Sequence, residues 1–262
     1  LALSYYSYTQ SNAYLKSQTY TNFEAIAGQV SVHLQDAIDL AVNDLRALQA
    51  FYLSNENVSI DGFKAFTQHL LETNADHIQA LEWIPHVRKE QRSDFEAELR
   101  ARYPNFRITE RGTDGELRTS QSKNHYYPVA YIEPYEPNSA AHGFDLNSSA
   151  TRRASLNFSR DSGELAATAR IRLVQEKTES YGFLIFAPIY DKKIKIKDAA
   201  DRERALEGFV LGVFRVNGLM TKAQKQANQE NLALALVDLS EGSDAMLYGA
   251  QMDRIAYTES LE

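Results

Sequence analysis

The stretch Phe23-Glu-Ala-Ile26-Ala-Gly-Gln-Val30-Ser-Val-His-Leu34-Gln-Asp-Ala-Ile38-Asp-Leu-Ala41-Val-Asn-Asp-Leu45-Arg-Ala-Leu48-Gln-Ala-Phe-Tyr52 decides how the rest of the chain is read. Its numbered apolar residues recur at steps of three and four, the period of an amphipathic helix. No proline falls within residues 5–53 and Gly28 is the one glycine there, so the pattern predicts a single helix over that span. At 1.5 Å per residue such a helix reaches roughly 70 Å, more than a compact domain requires. A helix lying along its own domain is one account. A stalk that projects from a membrane and pairs with a second copy is the other, and the length favours it.

Beyond Asn55 the period changes. A short helix is predicted from Asp61 to Leu71, a strand over Ile78–Ile84 stopped by Pro85, and a helix from Arg88 to Arg102. Phe106–Thr109 alternates as a short strand, and Tyr126–Ile132 is apolar and aromatic. Ser148 or Ser149 can cap a helix that runs to Ser159 and stops near Gly163. Three strands follow, Leu165–Val174, Phe183–Tyr190 and Gly208–Val216, with a charged excursion between the last two. A helix over 218–230 and a strand pair, Leu232–Leu239 and Ala245–Tyr248 around Gly242, close the pattern. The fold class is therefore α+β: a stalk helix (1–53), a first α+β unit (54–217) and the start of a smaller one (218–262). Helices and strands do not alternate evenly, which speaks against a doubly wound nucleotide-binding fold.

Composition narrows the function classes. Of 262 residues, 44% are hydrophobic and 24% charged, which excludes wholesale disorder, collagen and a polytopic membrane protein. The net charge of −7 argues weakly against a nucleic-acid partner. The absence of cysteine removes disulfides, thiolate metal sites and cysteine nucleophiles. No apolar run reaches the length of a membrane span. Opening on Leu1 and closing on Leu261-Glu262, the sequence reads as a segment of a longer protein.

Catalytic motifs are missing: no nucleophile elbow, phosphate-binding loop, paired zinc histidines or calcium loop is present. Neither a catalytic residue nor a metal or cofactor is expected. The six histidines (33, 69, 77, 86, 125 and 142) stand isolated in sequence. The basic run Lys192–Lys197 reads as a solvated tip, Trp83 as a core anchor, and Arg152 and Arg153 as a solvated helix face rather than an anion site. One strand is less ordinary. In Leu165–Leu173 the residues Ala167, Ala169, Ile171 and Leu173 fall on one face, and alanines there leave volume for neighbouring aromatics or for a small ligand. Asp145, in Gly143-Phe-Asp-Leu146, stands among apolar neighbours and can either aim a carboxylate into that volume or bond only backbone.

The run Tyr127-Pro-Val-Ala-Tyr-Ile-Glu-Pro-Tyr-Glu-Pro-Asn138, then Gly143-Phe-Asp-Leu146, Arg152-Arg-Ala154, Gly163, Ala167-Thr168, Arg172-Leu173 and Gly182-Phe-Leu-Ile-Phe-Ala-Pro-Ile-Tyr190, resembles the CHASE sensory domain. Leu81-Glu-Trp-Ile-Pro-His-Val87 and Arg92-Ser-Asp-Phe95 look like its opening strand and helix, and Glu207-Gly-Phe-Val-Leu-Gly-Val-Phe214 like its closing strand. The resemblance covers about residues 75–220. It implies the extracytoplasmic part of a membrane receptor with a cytoplasmic histidine kinase or nucleotide cyclase, built as a stalk helix with membrane-distal and membrane-proximal PAS-like domains. In the cytokinin receptors of that family an aspartate binds the adenine ring, and Asp145 matches it; the strand whose backbone meets the purine matches Ala167 and its neighbours. Val174–Tyr181 is longer than in those proteins, and the 192–204 insert is differently composed.

The expected ligand-binding set is Asp145, Tyr131, Ala167, Thr168, Ala169, Ile185, Ala187 and Gly212. The expected function is a periplasmic ligand-sensing domain of a bacterial inner-membrane receptor, taking a purine-like or amine-like small molecule and forming a homodimer through the stalk. A protein–protein interaction module with a filled, ligand-free pocket is the alternative.

Overall fold

In the computed structural model, the described residues are 2–74, 78–172, 181–229, 232–238 and 245–249. The chain opens with α1 (Ala2–Ser54), the long helix that the periodicity predicts, followed by α2 (Ile60–Asn74). Then come β1 (Ile78–Pro85), β2 (Val87–Arg88), α3 (Arg92–Arg100), β3 (Thr109–Arg111), β4 (Leu117–Thr119), β5 (His125–Tyr126), β6 (Tyr131–Glu133) and α4 (Tyr135–Asn138). The remainder is α5 (Ala150–Ser162), β7 (Ala166–Ala167), β8 (Ile171–Arg172), β9 (Tyr181–Tyr190), α6 (Ala199–Ala205), β10 (Leu206–Arg215), α7 (Val216–Gln229), β11 (Leu236–Asp238) and β12 (Ala245–Tyr248).

The central sheet runs β6-β1-β10-β9-β7, with β8 also on β9, and its pairs are all antiparallel. β10 sits in the middle, which is why its residues read as a near-continuous apolar run: both faces are covered. On one face Ala80, Ile84, Leu184, Phe186, Phe209, Leu211 and Val213 pack under α5 and the 127–146 segment. On the other, Leu81, Ile185, Ala187, Val210 and Phe214 pack against Ala41, Leu45, Leu48 and Tyr52 of α1 and Phe63 of α2.

The helix stripe is thus spent in two ways. From Val30 to Tyr52 it is consumed within the chain: Leu34 and Ile38 pack with α7, and Ala41, Leu45, Leu48 and Tyr52 pack against the sheet. Nearer the N-terminus, Tyr6, Tyr8, Tyr14, Leu15 and Tyr20 are exposed.

Several expected boundaries move. The 88–102 helix keeps only Arg92–Arg100 as α-helix, after a 3-10 turn at Lys89–Gln91. The strand expected at Phe106–Thr109 forms at Thr109–Arg111, because Phe106 and Ile108 are drawn into the core and Ile108 N–H is taken by the Glu96 carboxylate. The strand expected over Leu165–Val174 breaks into β7 and β8; Leu173 and Val174 lie outside the described residues. The charged excursion contains α6, capped by Asp198, whose side chain accepts from Asp201 N. Of the strand expected at Leu232–Leu239 only Leu236–Asp238 is strand; Leu239 and Gly242 lie outside the described residues.

Candidate functional site

Alternation on β1 sends neighbouring residues to opposite faces of the sheet. Glu82 pairs with Leu211 of β10 on one side and Ile132 of β6 on the other, so it shares a face with Ala80 and Ile84 and points into the apolar core under α5. It is 3% exposed, and among the described residues no side-chain or backbone donor bonds its carboxyl. Burial pushes its pKa up to about 8, with the positive charge of Arg152 pulling the other way. Next to it, Trp83 faces the opposite direction and stacks on Tyr52 of α1 at 4.4 Å, the core-anchor role expected of it.

Arg152 arrives from the first turn of α5. Its guanidinium lies 5.4 Å from the centre of the Phe144 ring and donates to Ser149 Oγ at 3.3 Å. Burial draws its pKa down, the Glu82 charge opposes that, and the like charge of Arg111 adds to it. The solvated face expected for Arg152 and Arg153 therefore holds for Arg153 alone, which is exposed. Arg152 is half-buried because the first turn of α5 stands over the cluster that includes Phe144 and Leu156.

Asp145 is fully buried and has its donors from within the chain. One oxygen accepts from Tyr127 N at 2.9 Å and Asn147 N at 3.2 Å, and the other accepts from Lys123 Nζ at 2.8 Å. Lys123 also bridges to Glu110 at 2.7 Å. The turn that presents Asp145 depends on Gly143, whose φ is +83° and whose added Cβ would lie 2.3 Å from the Arg107 carbonyl oxygen.

The sheet divides the expected ligand-binding set. Tyr131, Ile185, Ala187 and Gly212 lie on the α1 and α2 face, where Tyr131 meets Phe63 at 5.7 Å between ring centres. The position of a Cβ at Gly212 is filled by the Phe214 ring, 2.4 Å away. Ala167 pairs with Ile185 and is exposed, while Thr168 is buried and exchanges bonds with Leu184 through its N–H and its hydroxyl. Ala169 is partly buried, and Ile171 joins the α5-side core. The inward alanine face expected from strict alternation is absent because the strand bends between β7 and β8, which reverses its phase.

Sequence reasoning passed over Glu82 and assigned Arg152 to a solvated face. One signal was available: a lone carboxylate in a mostly apolar strand that lies inside the sheet has no solvent face to turn to. The fold also joins histidines that are isolated in sequence. His86 Nε2 lies 2.9 Å from His125 Nδ1, and the His86 ring stacks on Tyr127. Burial, the backbone bond to Leu206 and the His125 charge act on His86, with a net lowering of its pKa. A surface pocket lined by Lys89, Arg92, Ser93, Glu96, Ser122 and Tyr126 has its central charges occupied, since Glu96 accepts from Arg92, Arg100 and Ile108 N. Among the described residues no three His, Asp or Glu side chains converge as a metal cluster would require, and no helix is long and apolar enough to cross a membrane.

Two comparisons with known proteins bear on this arrangement. The chain is 25% identical over 192 residues to hybrid signal transduction histidine kinase A of Dictyostelium discoideum. That match takes in 70% of this chain and only 9% of the relative. The profile of the CHASE domain matches residues 56–248, which span β1, α5, β9 and β10 together with the hairpin β11–β12. Most of the chain lies inside that match, and it belongs to the CHASE domain family of sensory domains.

Proposed function

We propose that this chain is the extracytoplasmic ligand-sensing domain of a transmembrane signalling receptor, on the periplasmic side where the host is a bacterium. Residues 1–53 form the stalk, 54–217 a membrane-distal PAS-like unit that takes a small molecule, and 218–262 a membrane-proximal PAS-like unit. The histidine kinase relative supports a kinase rather than a cyclase as the output. The stalks pair through the N-terminal part of α1, where Tyr6, Tyr14 and Leu15 are exposed.

One observation carries the reading. Glu82 and Trp83 are consecutive on β1: the first faces the interior under α5, and the second stacks on Tyr52 of the stalk helix. A ligand held on the α5 side acts on a strand whose back touches the stalk, without an intervening element. Signalling is then a population shift, which requires the ligand to bind one stalk arrangement better than the other. Asp145, with three internal donors, holds the 123–147 segment in place rather than contacting the ligand.

The test is a thermal-shift screen of the purified chain against purines, polyamines, amino acids, organic acids and sugars. A ligand at a hundred times its Kd adds about 2.7 kcal/mol, which is roughly 5–10 °C in Tm for a chain of this size. A concentration-dependent rise with one chemical class is expected. No rise with any class overturns ligand sensing and leaves the protein–protein interaction module standing.

A further inference from the structure

The ligand-sensing reading leaves the chemical class of the ligand open, and the polar groups on the α5 side of the sheet narrow it. Glu82 projects from β1 into a wall of Ala80, Ile84, Ile132 and Leu211, with no donor among the described residues bonded to its carboxyl. Arg152, half-buried, reaches toward the same core over the Phe144 ring and, among the described residues, has one neutral acceptor, Ser149 Oγ. The two feel each other's charge without forming an ion pair. A third polar group lies next to Phe144 in the backbone pairing: the Thr109 hydroxyl is buried without a hydrogen-bond partner among the described residues.

Inside an apolar core each such group costs free energy unless a partner of opposite character meets it. An isolated buried charge is the most costly case, and removing or supplying one partner changes stability by several kcal/mol. An acid and a guanidinium that face one interior but do not touch are both satisfied by a molecule with a cationic donor at one end and an anionic acceptor at the other. A purine meets Glu82 through its N–H groups but brings no anion for Arg152. A simple amine neutralises only Glu82, and a simple carboxylate only Arg152.

We propose that the α5-side site binds a small zwitterion of the α-amino-acid type, its ammonium held by the Glu82 carboxylate and its carboxylate by the Arg152 guanidinium. The proposal rests on the ligand-sensing reading and specifies its ligand. Binding has a proton signature. Glu82 is held in its neutral form by burial at pH 7, so an ammonium that pairs with it drives out the proton, which passes to the buffer. A ligand that only accepts hydrogen bonds releases none.

The experiment uses the purified chain and the proteinogenic L-amino acids as probes, each beside its deaminated acid and its decarboxylated amine, with adenine as a further probe. Thermal shift and isothermal titration calorimetry are read for the wild type, Glu82→Gln and Arg152→Met; methionine keeps an apolar stem over Phe144. At least one amino acid is expected to bind while its matched acid and amine do not. Its binding enthalpy at pH 7 is expected to vary with the ionisation enthalpy of the buffer, reporting proton release. Either substitution should weaken it by about tenfold to a hundredfold, the scale of a lost charge-assisted hydrogen bond, and Glu82→Gln should abolish the buffer dependence. If adenine, an acid or an amine binds and no amino acid does, the zwitterion is overturned and ligand sensing stands. If no probe and no member of the wider screen binds, both fall and Glu82 is a neutral buried acid. An amino acid that binds Glu82→Gln and wild type equally, without proton release, also overturns the assignment. Comparing matched probes on the wild type alone keeps the proposal testable should Arg152→Met fail to fold.

Discussion

Glu82 and Asp145 are both carboxylates inside the protein, and the fold treats them oppositely. Asp145 has two backbone N–H donors and Lys123, whereas Glu82 has an apolar wall and a guanidinium beyond contact. The difference sets opposite expectations for substitution. With its pKa raised from 4.5 to about 8, Glu82 takes up a proton on folding between those values. Its contribution is therefore complete below pH 4.5 and is lost as the pH climbs through 8. Glu82→Gln, which carries no such titration, should be more stable than the wild type by about 1–3 kcal/mol at pH 8, with the gain shrinking toward pH 5. Urea unfolding at the two pH values checks it; a gain equal at both would assign the effect to packing. Asp145→Ala removes the acceptor of three donors and leaves Lys123 with Glu110 alone. A loss of about 2–4 kcal/mol is expected, measured by the same unfolding curves.

At the level of elements, the contact between the sheet and α1 is the joint through which the proposed signal would pass. Gly212 on β10 faces α1, and the Phe214 ring occupies the place of its missing Cβ while stacking on Phe183 at 5.5 Å. Gly212→Ala must displace that ring, and overpacking of this kind costs about 1–3 kcal/mol. Hydrogen exchange should show the added mobility in α1 from residue 41 to 52 and in β10, with α3 unchanged. A second joint ties β7 and β8 to the last hairpin: Arg170 donates to Met246 O at 2.6 Å, its N–H meets Asp238 Oδ2 at 3.4 Å, and its guanidinium sits over Tyr181 at 4.4 Å. Arg170→Ala should speed exchange of the β11 and β12 amides and leave β1 and β10 protected. Uniform acceleration across the chain would mean global destabilisation instead.

For the whole molecule, the titrating groups pull stability in two directions. His86 and His142 are half-buried, one against Tyr127 and the other among Tyr103, Phe106 and Tyr135, and desolvation lowers the pKa of each from 6.5. Their contribution is complete above that value and is lost as the pH falls below it. Glu82 has the opposite slope on the alkaline side. A maximum in Tm between about pH 6 and 7 follows, and Glu82→Gln should move it to higher pH. The proposed pairing through α1 is tested separately: if it exists, Leu15→Glu weakens self-association in sedimentation velocity without changing Tm, because Leu15 is exposed.

The sequence by itself determined the long helix, the central strands β9 and β10, the helix stop at Gly163 and the family, because each is written in local periodicity, in a conformational need for glycine or in an ordered series of motifs. What it left undecided was which face of each strand meets which neighbour. Periodicity fixes that Ile185 and Phe186 point apart, but not that the first meets α1 and the second the α5-side core. A break between β7 and β8 reversed the phase of one strand and so moved Ala167 outward, while the first turn of α5 set Arg152 half-buried over the cluster that includes Phe144. Those placements are consequences of long-range packing: burial of one face is decided by elements a hundred residues away, and only the tertiary structure brings them together.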